Sequence, residues 1–331
     1  MVMKKKIRQS NFELLRIVSM IMVLSLHSWM RPDLTASVDK LAVFTDLFRE
    51  SICLPAVNIF ILISGYFGIR WDIKKLLSLL FQIFFFVFIA FGVCIITGHT
   101  QFSIGGLWHH LNCLLLDYWF VTAYLILYMF APVLNSFIGN GGIKTFLVIF
   151  FIVQTYFSIY QRAPFDAGSS AFSFMGLYML GRYIRIESIV DRFKTSYLLI
   201  ALLVIAIIET AYLYLNIKYM PSSDIARQYD NPLIILEAVC TFLLFGKLKL
   251  SSRIVNYTAV SAFGIYLLHM QTDIKDFYID YCHSLYNTPY LYHMVMLLLL
   301  FTAIFVVTVI IDRIRMIIFE IMWKCLRDKI K

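Results

Sequence analysis

The chain has 331 residues, 61% of them hydrophobic and 15% charged, against about 45–50% and about 25% in an ordinary soluble domain. That balance excludes a water-soluble globular enzyme. The formal charge of +9 does not point to nucleic acid either, because its density alternates from one polar stretch to the next, as membrane topology requires.

Apolar runs recur from Asn11 to Asp312, separated by short polar stretches, and runs of this length are expected to cross a bilayer as helices. Spans are expected near residues 12–30, 52–69, 76–98, 118–137, 143–160, 171–186, 196–216, 232–247, 256–270 and 290–311. The expected fold is all-α: one polytopic membrane bundle of about ten transmembrane helices, forming a single domain over residues 1–331. Lys4, Lys5, Lys6 and Arg8 before the first run imitate the start of a signal peptide. The run itself is long enough to span and contains Glu13, Arg16 and His27, so it is expected to remain in the protein.

With the N-terminus inside, most of the 29 Lys and Arg residues fall on cytoplasmic segments, which places both termini in the cytoplasm and the protein in the cell membrane. Residues 313–331 mix Ile317, Ile318, Ile321, Met322 and Trp323 with Arg315, Lys324 and Arg327. They are expected to form a basic amphipathic tail on the inner membrane surface. Cys53, Cys94, Cys113, Cys240, Cys282 and Cys325 show no CxxC pairing and read as small buried hydrophobes. His109 and His110 are adjacent without a clear third ligand, so no metal is expected.

Ionisable groups within spans are costly and mark functional candidates; here these are Glu13, Arg16, His27, Glu209, Glu237 and His269. Arg16 and His27 are eleven residues apart, which puts them on one face of a helix and roughly 16 Å apart along its axis. A guanidinium can bind phosphate through two hydrogen bonds, and an imidazole can take a proton from a hydroxyl near neutral pH. The same residues also fit a plain role, with Glu13 neutralising Arg16 and His27 bonding at the interface. Ser64 and Tyr66 lie where small residues permit close helix approach or leave room for a linear ligand. Arg70, Lys74 and Lys75 follow as a basic cluster that could receive phosphates. Glu209 and Glu237 could orient a sugar or stay protonated in the core, His269 sits near the outer boundary, and Trp119 could stack on a sugar or belong to an aromatic belt.

Five stretches then stand in order: NFELLRIVSMIMVLSLH from Asn11, NIFILISGYF from Asn58, YWFVTAYLILYMFAPVLN from Tyr118, FMGLYMLGRYI from Phe174 and FGIYLLH from Phe263. With them the chain resembles acyltransferase family 3, integral-membrane enzymes that modify cell-envelope glycans, over nearly its whole length. The resemblance implies transfer of an acyl group, usually acetyl from acetyl-CoA on the cytoplasmic side, to a hydroxyl of a glycan or lipid-linked saccharide. It makes His27 the expected base, with Arg16 positioning the donor or supporting the site. Some members carry two arginines, with two residues between them, on the loop after the second span, where this chain has Arg70, Lys74 and Lys75. Arg182 and Arg185 have that spacing but follow the sixth span, and they read as topology-setting charge. No appended extracytoplasmic hydrolase-like domain is expected, so either the bundle completes the reaction or a separate protein accepts the acyl group. A transporter or flippase for a lipid-linked sugar is the alternative, and a non-catalytic partner of polysaccharide-synthesis proteins is a third reading.

Overall fold

The computed structural model describes residues 9–28, 40–112, 117–138, 142–159, 165–286 and 288–330; the basic start and Cys113 lie outside the described residues. Regular structure among the described residues is entirely helical. In chain order the helices are α1 (Ser10–His27), α2 (Lys40–Cys53), α3 (Ala56–Phe67), α4 (Ile73–Ile96), α5 (Ile104–Leu111), α6 (Trp119–Ile138), α7 (Ile143–Ile159) and α8 (Ala171–Ile186). They continue as α9 (Ile189–Arg192), α10 (Thr195–Tyr219), α11 (Pro232–Gly246), α12 (Arg253–Thr258), α13 (Ala262–His269), α14 (Thr272–Ser284) and α15 (Tyr290–Ile330).

Local chemistry sets these ends. The Asp72 side chain accepts from Lys75 N to start α4, Ser170 does the same for α8, and Asn231 precedes Pro232 at the first turn of α11; each supplies an acceptor to an otherwise orphaned N–H. Seven described stretches are long and apolar enough to span: Ser10–His27, Val43–Phe67, Ile73–Ile96, Trp119–Ile138, Thr195–Tyr219, Ile225–Gly246 and Tyr290–Asp328. Ile143–Ile159 is apolar but shorter, and α8 has only 16 residues. The span expected over 256–270 is instead divided into α12, a 3₁₀ turn at Ala259–Ser261 and α13.

The chain forms two compact units, one of Met1–Leu26, Met30–Trp71 and Trp119–Tyr257, the other of His27–Trp29, Asp72–Tyr118 and Thr258–Lys331. In the first, α3 is predominantly apolar, with Ile59, Ile61, Leu62 and Ile63 fully buried, as befits a central helix. It packs closely on α8 because glycines face each other: a methyl on Gly65 would strike the Tyr178 carbonyl, and one on Gly181 would come within 2.5 Å of the Leu62 carbonyl oxygen. Backbone cannot yield as a side-chain tip can. Gly65→Ala is therefore expected to cost about 1–3 kcal/mol, read as a lowered melting temperature in detergent. Gly92→Ala, where a methyl meets nothing within 4 Å, is the control that should leave it unchanged. The first turn of α1 closes the end of α11, where Asn11 Nδ2 donates to Phe245 O at 3.0 Å and satisfies a terminal carbonyl.

In the second unit α13 meets α4 and α15 through Gly264, where a methyl would lie 2.7 Å from Phe86 and 2.8 Å from Thr308. Asp312 of α15 is fully buried; its Oδ1 accepts from Gln82 at 2.9 Å and from Arg315 at 2.9 and 2.6 Å. Arg315 Nη1 also donates to Ser78 of α4 at 3.1 Å. Arg315, expected on the membrane surface as part of the tail, is thus a buried residue in a helix that continues without a break through Asp312. Asp273 collects Thr100 Oγ1 at 3.0 Å, Gln271 Nε2 at 2.8 Å and His110 Nε2 at 3.0 Å. Burial pushes the His110 imidazole below the ordinary histidine value while Asp273 opposes this.

Candidate active site

His27 is the last residue of α1 and belongs to the second unit. Its Nδ1 lies 2.8 Å from Nε2 of His269, the last residue of α13, with ring centroids 5.1 Å apart and planes 35° from parallel. The other nitrogen of His269, Nδ1, sits 2.6 Å from the carbonyl oxygen of Ile265, one turn back. α13 stops where it does because the Gln271 side chain accepts from Asp273 N and Ile274 N and starts α14. Tyr118, 1% exposed, holds α13 in place by donating from its hydroxyl to Leu267 O at 2.9 Å. His269 is 1% exposed and packs edge-on to Tyr278 at 5.5 Å, whereas His27 is partly accessible. Beside His269 lies a cavity of about 400 Å³ lined by Ala90, Val93, Leu268, Tyr278 and Ile304, among others.

In the first unit, Arg16 pairs with Glu13 through Nη1, at 3.1 and 3.0 Å to the two carboxylate oxygens. Its guanidinium lies 5.9 Å from the centre of the Phe67 ring, and its side chain keeps 30% exposure. The Tyr66 ring packs tilted against Phe12 and edge-on to Phe242, with centroids 4.9 and 5.2 Å away. Its hydroxyl accepts from Arg185 Nη1 at 2.8 Å.

A family model described as an acyltransferase domain matches residues 9–311. The chain belongs to acyltransferase family 3. No curated protein and no solved structure matches it. Family membership makes the chain a membrane acyltransferase, with an acyl donor and an acceptor as its substrates.

The acyltransferase brings Arg182 and Arg185 of α8 to the end of α3, although their sequence suggested only a topological role. Arg182 lies against Gly68, where φ is +74° and a Cβ would come within 2.9 Å of Nη1; only glycine supplies both that backbone and that space. Arg182 Nε has no hydrogen-bond partner among the described residues. The i, i+3 spacing, which puts both arginines on one helix face, was the signal available in the sequence.

The remaining candidates of this acyltransferase are spread out. Ser64 Oγ turns back to Phe60 O at 3.1 Å. Arg70 has an exposed side chain, and its carbonyl accepts from Tyr128. Lys74 is committed to Glu320 at 2.8 Å and lies 6.0 Å from the Trp323 ring, while Lys75 borders a cavity of about 270 Å³ with Ser78, Gln82 and Arg315. Glu209 and Glu237 are 0% and 2% exposed on the packed helices α10 and α11. Both carboxylate oxygens of Glu209 and Oε2 of Glu237 lack a hydrogen-bond partner among the described residues. Trp119 stacks on Tyr229 at 5.7 Å. Among the described residues no three His, Cys, Asp or Glu side chains converge as a metal site.

Proposed function

We propose that this acyltransferase moves an acetyl group from acetyl-CoA, presented on the cytoplasmic side, to a hydroxyl of a cell-envelope glycan or lipid-linked sugar. It does so as a multi-pass protein of the cell membrane, with about ten spans and both termini in the cytoplasm. The observation that carries the reading is the His27–His269 contact of 2.8 Å, which ends a helix of a family 3 domain in an anchored, partly accessible imidazole. His27 takes the proton as the acceptor O–H bond breaks. The alkoxide oxygen bonds to the thioester carbonyl carbon, the C–S bond breaks, and the CoA thiolate recovers the proton from His27.

Arg185 and Arg182, together with Arg16 in the same unit, supply guanidinium groups suited to the phosphates of the donor. Lys74 is the weaker candidate because Glu320 already neutralises it. Arg185→Gln is accordingly expected to raise KM for acetyl-CoA by about tenfold, the equivalent of one charge-assisted hydrogen bond at ~1.5 kcal/mol. It should leave kcat and the use of acetyl-pantetheine, which has no phosphates, unchanged. An equal loss with both donors would remove the arginine from phosphate binding.

The reading as a whole is tested in membrane vesicles supplied with radiolabelled acetyl-CoA, with label followed into base-labile esters on glycan. Label above that of vesicles lacking the protein is expected, and its absence across acetyl-CoA, succinyl-CoA and longer acyl-CoAs would overturn it. The buried, unpartnered oxygens of Glu209 and Glu237 favour one second reading, proton-coupled movement of a lipid-linked sugar, which predicts translocation without acyl transfer.

A further inference from the structure

We infer that His269 is the positioning residue for His27, and that a one-way chain of hydrogen bonds from the Ile265 carbonyl makes Nε2 of His27 the base. The inference rests on the acyltransferase reading and deepens it.

The direction follows from what each atom can do. A backbone carbonyl oxygen only accepts, so His269 Nδ1, 2.6 Å from Ile265 O, carries a hydrogen and donates it. A neutral imidazole has one N–H, so His269 Nε2 is left with a lone pair. That lone pair faces His27 Nδ1 at 2.8 Å. Two lone pairs would repel at this separation, so Nδ1 of His27 carries the second hydrogen and donates it. His27 Nε2 then holds the lone pair that can take a proton from the acceptor hydroxyl.

His269 thus performs for His27 the orienting task that a carboxylate performs in a serine-hydrolase triad, fixing tautomer and ring angle, without placing a resting negative charge among apolar walls. When Nε2 of His27 accepts the acceptor's proton, its Nδ1–H bond to His269 becomes charge-assisted and shortens. The chain strengthens as the proton arrives and relaxes when the proton passes to the departing thiolate.

Two substitutions separate positioning from packing. Gln at this position keeps a side-chain oxygen that can accept from His27 Nδ1–H, and Leu keeps bulk without an acceptor. His269→Leu is expected to lower kcat about 10- to 100-fold with KM for acetyl-CoA unchanged, and His269→Gln to recover most of the loss. The decisive readout needs no turnover: in ¹⁵N-histidine-labelled wild-type protein in bilayers, the His27 resonances, assigned with His27→Gln, should show Nδ1 protonated and Nε2 bare. The reverse tautomer, or a folded His269→Leu protein with undiminished kcat, overturns the inference. The expected tautomer without acyl transfer in vesicles would sink the acyltransferase reading and leave the hydrogen-bond chain standing. Transfer with the reverse tautomer would do the opposite.

Discussion

Replacing His27 with alanine is expected to lower kcat for acyl transfer by about 10²–10⁴-fold, the range for losing a general base, while the protein stays folded. Retained folding follows from its position: His27 is partly accessible at the end of α1. Its removal leaves the His269 lone pair without a donor, a cost of about 1–3 kcal/mol, small for a bundle of this size. His27→Gln sharpens the result, because the amide can donate to His269 but cannot take a proton near neutral pH. Both variants should bind acetyl-CoA as the wild type does and turn it over poorly. A non-catalytic scaffold would tolerate the glutamine, so full complementation of glycan acylation by His27→Gln would remove His27 from the chemistry.

The largest expected effect on stability comes from Asp312→Ala. Asp312 is 0% and Arg315 5% exposed, and the two are joined at 2.6 Å. Removing the carboxylate leaves a buried guanidinium with Ser78 as its remaining hydrogen-bond partner among the described residues, and breaking a buried pair on one side costs about 3–5 kcal/mol. Thermal unfolding in detergent should show a marked drop in midpoint. The double variant Asp312→Leu, Arg315→Met should regain most of it, since replacing both partners with apolar groups leaves no uncompensated charge. A single variant that melts with the wild type would show that water reaches Arg315 and that the pair contributes little.

What the sequence made legible was local or periodic. Apolar runs marked the long helices but not α2, α5 or α14, and the small residues near Ser64 signalled a close approach, which Gly65 makes with Tyr178 and Gly181 makes with Leu62. The break near Ala259–Ser261 was not legible, because hydropathy is continuous across it and a 3₁₀ turn leaves no apolar signature. Arg315 read as a surface charge because hydropathy scores residues singly, yet Asp312 three positions earlier on the same helix was the sign of a pair that could be buried. The His27–His269 contact joins residues 242 positions apart, and no window along the chain can hold both. The gathering of Arg182 and Arg185 at the end of α3 was hidden for the same reason, since only the α3–α8 packing brings Tyr66 to Arg185.

α15 runs for 41 residues, which at 1.5 Å per residue makes a rod of ~60 Å, about twice the ~30 Å of a bilayer's hydrocarbon. A rod of that length set upright is longer than the oil is thick, and the Lys74–Glu320 bridge joins its later half to the start of α4.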